Sequence, residues 1–233
     1  YSKTIAIDKG YLDLQFFPES GELVHGISSL VGFKALDCNG KGKKVEGEIV
    51  NGKGEVITLF ESNELGMGTF TLANVNSAAN YSARLLPVPE GGLAKMYPLP
   101  KVASKGNVLS VKKDWDRINL KAFSNYLKND SITILASCRG IAYYSINGHP
   151  KKDSLAFSLP ASVLPEGIIA FTLMDAQMQP VAERLYFNER PESRVNIAIT
   201  SDKEYYMQRE PANLTIEATD SEGKPANASL SVL

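Results

Sequence analysis

Phe33-Lys34-Ala35-Leu36-Asp37-Cys38-Asn39-Gly40, Phe171-Thr172-Leu173-Met174-Asp175-Ala176-Gln177-Met178-Gln179-Pro180 and Leu214-Thr215-Ile216-Glu217-Ala218-Thr219-Asp220-Ser221-Glu222-Gly223-Lys224-Pro225 follow one plan. A β-rich run leads into an Asp-led turn, and a second β-rich run follows. Asp bonds its own backbone in turns, Gly supplies positive φ, and Pro presets φ for the exit. The uneven spacing of the three copies points to related modules of unequal length rather than a tight solenoid. An array of small β domains positions, spans or binds more often than it catalyses.

Outward from these turns the chain alternates with period two. Leu12-Asp13-Leu14-Gln15-Phe16, Ile118-Asn119-Leu120-Lys121-Ala122-Phe123, Ser131-Ile132-Thr133-Ile134-Leu135 and Val195-Asn196-Ile197-Ala198-Ile199 each read as a half-buried strand. Turn signals separate such runs at the rhythm of an antiparallel β-sandwich. Asn51-Gly52, between two β runs, predicts a two-residue hairpin with Gly52 at positive φ. A helical turn is expected only at Pro160-Ala161-Ser162-Val163-Leu164, ended by Pro165.

Composition narrows the class. The 233 residues are 43% hydrophobic, enough for true cores, and carry a net charge of −1 without a long run of one sign. A basic nucleic-acid footprint is therefore absent. No apolar stretch is long enough to span a bilayer as a helix, so direct membrane insertion by helix is not expected. Cys38 and Cys138 are too few for a disulfide framework and read as thiols in or beside strands, their pairing left open. The chain starts at Tyr1 without Met and ends inside a strand-like run, which reads as a segment of a longer protein.

Punctuation divides the chain. Pro87-Val88-Pro89-Glu90-Gly91-Gly92 and Pro98-Leu99-Pro100 flank one junction, and Asn188-Glu189-Arg190-Pro191-Glu192-Ser193 marks another. Residues 1–8 are then the last strand of a preceding module, 9–99 and 100–188 two sandwiches, and 189–233 a partial third.

Four stretches together carry a resemblance. They are Asp13-Leu14-Gln15-Phe16-Phe17-Pro18-Glu19-Ser20-Gly21-Glu22-Leu23-Val24; Gly66-Met67-Gly68-Thr69-Phe70 after an acidic turn; Leu164-Pro165-Glu166-Gly167 through Leu173 with Ala182-Glu183-Arg184-Leu185-Tyr186-Phe187; and Thr200-Ser201-Asp202-Lys203-Glu204-Tyr205-Tyr206 with Arg209-Glu210. Their order resembles the macroglobulin-like domains of the alpha-2-macroglobulin superfamily. It is most similar to large cell-envelope proteins of Bacteroidetes-type Gram-negative bacteria, several of which carry a TonB-receptor plug-like domain further along. The resemblance covers essentially the whole chain. It implies all-β tandem immunoglobulin-like sandwiches, an extracytoplasmic place in the periplasm or at the outer membrane, and a mainly structural role without catalytic residues. The family's thioester needs Cys-Gly-Glu-Gln. Cys38 is followed by Asn39-Gly40 and Cys138 by Arg139-Gly140, so that chemistry does not carry over.

Gly47-Glu48-Ile49-Val50-Asn51-Gly52-Lys53-Gly54 has phosphate-loop spacing, but Gly54 stands where a magnesium-binding hydroxyl belongs and no helix follows. The Asp37 loop puts Lys41 and Gly42 at the fifth and sixth positions of a calcium loop, and Glu48 at its twelfth lies in a strand. His25 and His149 have no partner at metal spacing, and no Gly-x-Ser-x-Gly supports a triad. The sequons at Asn80, Asn129, Asn213 and Asn227 mean little in a bacterial host. Trp115, Tyr143 and Tyr144 are the candidate partner-binding residues; alternation puts the two tyrosines on opposite faces, so at most one is core. The plain alternative is cross-strand packing.

The sequence thus reads as a non-catalytic structural or protein-interaction segment of a larger envelope protein. It has no expected cofactor or metal, and its expected partners are proteins or other domains of the same chain. A carbohydrate-binding module with a row of exposed aromatics, taking a glycan, is the alternative. A β-sandwich hydrolase with clustered carboxylates or a nucleophile–base pair in a concave pocket is the weaker one.

Overall fold

A computed structural model describes residues 12–87, 94–127, 130–151 and 154–231. The strand expected within residues 1–8 lies outside them, as does Asn129. Among the described residues every regular element but three 3-10 turns is a strand; those turns are Glu19–Gly21, Ala161–Val163 and Pro191–Ser193. The fold is all-β and antiparallel in its main sheets.

The first core is enclosed by β1 (Leu12–Pro18), β2 (Leu23–Val24), β3 (Ser29–Asp37), β4 (Glu46–Val50), β5 (Val56–Glu61), β6 (Met67–Leu72), β7 (Ser82–Leu85) and β8 (Met96–Pro98). One sheet has the order β1-β3-β6 and the other β5-β4-β7-β8. Leu12, Leu14 and Phe16 alternate inward as the sequence pattern requires. Four phenylalanines fill the centre, with Phe33 edge-on to Phe60 at 5.0 Å and Phe16 edge-on to Phe70 at 6.1 Å. Two glycines make room for these rings. Gly68 pairs with Phe33 and Gly47 with Phe60, and a Cβ on either would lie 2.6 Å from the ring opposite.

The described end of the stretch read as the first junction, residues 96–99, belongs to this unit. Tyr97 on β8 and Leu99 are buried in the first core. Residues 88–93 are outside the described ones. Beyond Leu99 the chain runs through β9 (Val102–Ala103), which pairs in parallel with β2.

The second core lies between a three-stranded sheet of β10 (Asn107–Asp114), β11 (Arg117–Ser124) and β14 (Ser154–Pro160) and a four-stranded sheet. That second sheet has the order β13-β12-β15-β16, with β12 (Ile132–Cys138), β13 (Ile141–Gly148), β15 (Gly167–Met174) and β16 (Pro180–Asn188). Ile118, Leu120 and Leu159 meet Ile134, Ile169, Phe171 and Leu173, all essentially inaccessible. The expected helical turn is the 3-10 turn Ala161–Val163. After it, β17 (Asn196–Ser201) and β18 (Leu214–Thr219) form a two-stranded ribbon. The alternation of β17 is real, yet neither face is buried: Ile197 is 49% and Ile199 62% exposed.

Five turns share one construction. Asp37, Asn51, Asn63, Asp175 and Asp220 each accept, on one side-chain oxygen, the backbone N–H groups two and four residues on. The residue three on is left-handed: Gly40, Gly54, Gly66, Met178 and Gly223. This corrects the Asn51-Gly52 expectation. The Asn51 side chain draws in the N–H groups of Lys53 and Glu55, which enlarges the loop, and the positive φ (81°) falls on Gly54 instead of Gly52.

Candidate interaction site

The aromatic candidates come from different elements. Trp115 is at the tip of the β10–β11 hairpin, between the paired Asp114 and Arg117, with φ 53° and 92% of its surface exposed. Tyr143 and Tyr144 lie on β13, the outer strand of the other sheet. Strict alternation would turn one of them inward. Instead the register slips beside them: Ala136 pairs with Tyr144 and Ser137 with Ala142, leaving Tyr143 as the extra residue of a bulge. Both rings are 42% exposed, so neither is core. Tyr205, 86% exposed, belongs to the β17–β18 connection. These four aromatics therefore sit on three separate elements instead of forming one row.

Of the groups a catalytic or metal reading would use, Asp37 and His25 are engaged with backbone N–H groups. Asp37 spends a carboxylate oxygen on the N–H groups of Asn39 and Lys41, which holds its carboxyl below the ordinary value. His25 Nδ1 accepts the Ser77 N–H at 3.1 Å, while His149 lies exposed beyond β13. Cys38 is exposed and Cys138 buried, and both are free thiols. Among the described residues no cluster of three His, Cys, Asp or Glu side chains is placed to hold a metal. A cavity of about 690 Å³ is lined by Lys43, Lys44, Glu46, Glu61 and Tyr97, with apolar residues between them.

The feature that sequence reading missed is the joint between the two cores. Glu19 and Ser20 look like an exposed turn after Pro18. The structure sets that turn against β10 and β16 of the second unit. Ser20 Oγ donates to the Leu109 carbonyl at 3.1 Å and accepts the Leu109 N–H at 2.8 Å. Glu19, 7% exposed, lies 3.6 Å from the Arg184 guanidinium. Burial pushes the Glu19 carboxyl above its ordinary value, opposed by the charges of Arg184 and Lys112 and by hydrogen bonds from Ser110 and the Val111 backbone.

A second set of bonds reinforces the joint. The His25 N–H reaches the Ala103 carbonyl at 2.9 Å. Asn125 Nδ2 donates to the carbonyls of His25 (3.0 Å) and Ser104 (2.8 Å), while its oxygen accepts the Gly106 N–H. Val24, Ile27 and Val108, with Phe123 against them, make a small apolar cluster across the joint. Gly106 permits the approach, since a Cβ there would lie 2.8 Å from a Val24 methyl. No local signal in the sequence could have found this. Ser20 and Leu109 are 89 residues apart, and burial of Glu19 exists only once both units are built.

The segment read as the second junction is likewise tied down. Asn188 is fully buried and points its amide nitrogen at the carbonyls of Ala161, Leu164 and Pro165, each within 3.1 Å. Arg190 reaches the Ser162 carbonyl, and Arg194 pairs with Glu166 at 2.6 Å. That pair lowers the Glu166 carboxyl from its ordinary value and raises Arg194.

No family model matches this sequence. No curated protein matches it either. Among solved structures, it is similar to the native conformation of E. coli alpha-2-macroglobulin seen by electron cryo-microscopy, at 12% identity and a TM-score of 0.27 over 90% of this chain. The chain spans 17% of that structure's length.

Proposed function

We propose that this chain is a non-catalytic scaffold segment of a larger envelope protein, holding two β-sandwiches in fixed geometry for protein partners or neighbouring domains. The joint carries this reading. An interface of modest size ordinarily leaves domains free to move. Here one short turn buries a carboxylate against a guanidinium, makes two hydrogen bonds through Ser20, and lies beside an apolar cluster and a strand pairing. The Ser20 hydrogen bonds, the apolar cluster and the strand pairing resist separation, whereas parting would return the Glu19 carboxylate and the part-exposed Arg184 to water. The macroglobulin-like character, the extracytoplasmic location and the link to TonB-plug-bearing proteins rest on the order of the sequence motifs, and form part of the same proposal.

Limited proteolysis with a broad protease tests the rigid joint. The wild-type chain should resist cutting between Pro100 and Gly106. Ser20→Ala with Asn125→Ala, which removes the bonds across the joint, should open that segment and release two stable fragments. Equal and rapid cleavage of both proteins there would refute the scaffold reading.

A further inference from the structure

We infer that the cleft between the two sandwiches binds a small phosphate monoester, its phosphate on Lys112 and Lys121 and its body on the apolar floor beside them. The cleft encloses about 330 Å³. That is near the lower end of small-molecule sites, about 300–1,000 Å³, and leaves room beyond a phosphate group. The β10–β11 register grades the floor. Val108 pairs with Phe123, Ser110 with Lys121 and Lys112 with Asn119, and all six line the cleft. Side chains two residues apart share a face. The strand pair therefore runs from an apolar end, continuous with the small cluster at the joint, to a cationic end.

Lys112 and Lys121 are diagonal neighbours on that face, close enough for long side chains to meet on one ligand. Among the described residues neither side chain makes an ion pair or a hydrogen bond. The Lys121 ammonium rests over the Phe123 ring at 4.7 Å, and Lys112 acts on Glu19 only through its charge. The facing wall comes from the first sandwich and adds hydroxyls. Ser28 Oγ accepts the Asn74 N–H at 3.3 Å and keeps its own proton to donate. Ser29, 1% exposed, donates at a long 3.4 Å to the Leu30 carbonyl. Thr71, paired with Leu30, brings a third hydroxyl.

This set suits a phosphate monoester better than a carboxylate. A phosphate monoester carries roughly −1.5 to −2 charge at neutral pH and three acceptor oxygens, enough for both ammonium groups and for hydroxyls of the opposite wall. Glu19 is the one acid among the described lining residues. Arg184 lies against it and burial drives it toward its neutral form, so it opposes an anion less than an exposed carboxylate would. The inference rests on the fixed joint, because each sandwich supplies one wall.

The test is titration of the full 233-residue chain with phenyl phosphate, followed by amide shifts and calorimetry. Binding is expected with Kd between about 10 µM and 1 mM, with shifts on both walls, at residues 28–30 and 71 and at 108–112 and 119–123. Inorganic phosphate should bind more weakly, and benzyl alcohol, a similar body without the charge, should not bind. Lys112→Gln and Lys121→Gln should each weaken phenyl phosphate at least fivefold. Lys113→Gln, which removes the same charge from the other face of β10, should leave it unchanged. Equal weakening by Lys113→Gln, or shifts on one wall alone, would show general attraction to surface lysines and overturn the inference. Vesicles of phosphatidic acid carry the same head on a membrane; a chain that sediments with them yet ignores phenyl phosphate also overturns it. Limited proteolysis of the same sample separates the two readings. Failure to bind by a chain that resists cutting between Pro100 and Gly106 overturns the cleft site alone; failure by a chain cut rapidly there overturns the fixed joint with it.

Discussion

Met178 occupies the left-handed position that glycine fills in the four sister turns, at φ 58° and 57% exposed. A side chain there costs roughly 1–2 kcal/mol, partly offset by the backbone entropy that glycine loses on folding. Met178→Gly should therefore stabilise the second sandwich by about 0.5–1 kcal/mol in denaturant melts. Gly68 makes the opposite case. Its Cβ would lie 2.4 Å from the Glu61 carbonyl and 2.6 Å from the Phe33 ring, so Gly68→Ala should cost about 1–3 kcal/mol. An unchanged midpoint would mean that the ring has room to withdraw. The three Asp-led turns were legible because their chemistry is local. The two Asn-led ones were not: Asn51-Gly52 imitates a tighter hairpin, and Asn63 hides among Glu61, Ser62 and Glu64. The bulge that exposes both tyrosines of β13 was beyond reach too, because register depends on the partner strand.

At the scale of elements, strands were legible from alternation and their placement was not. Nothing in Asn188-Glu189-Arg190-Pro191 announces that Asn188 is buried among three carbonyls. Asn188→Leu removes the donor and keeps the bulk, so the carbonyls lose their partner; the second sandwich should lose about 1–3 kcal/mol, read from its melting midpoint. The turn bearing Glu19 gives a pH signature. A carboxyl held above its ordinary value in the docked state favours its neutral form. Its stabilisation is complete below the ordinary carboxylate pKa and is lost as pH rises through the raised one. Glu19→Gln, permanently neutral, should thus melt higher relative to wild type at pH 7.5 than at pH 4. Parallel pH profiles would show that Glu19 is solvated.

For the molecule as a whole, the all-β class and its repeating turns follow from period and punctuation, whereas the mutual position of the two cores follows from contacts far apart in sequence. Ser20 bonds Leu109, Glu19 meets Arg184 and Asn125 bonds His25; each pair joins a turn or strand end of ordinary appearance to a distant one. A rigid joint made this way has one direct signature in solution. Backbone residual dipolar couplings, measured on the weakly aligned chain, should fit a single alignment tensor for residues of β1–β8 and β10–β16 together. Two tensors of different magnitude, one for each sandwich, would show independent motion and contradict the fixed scaffold.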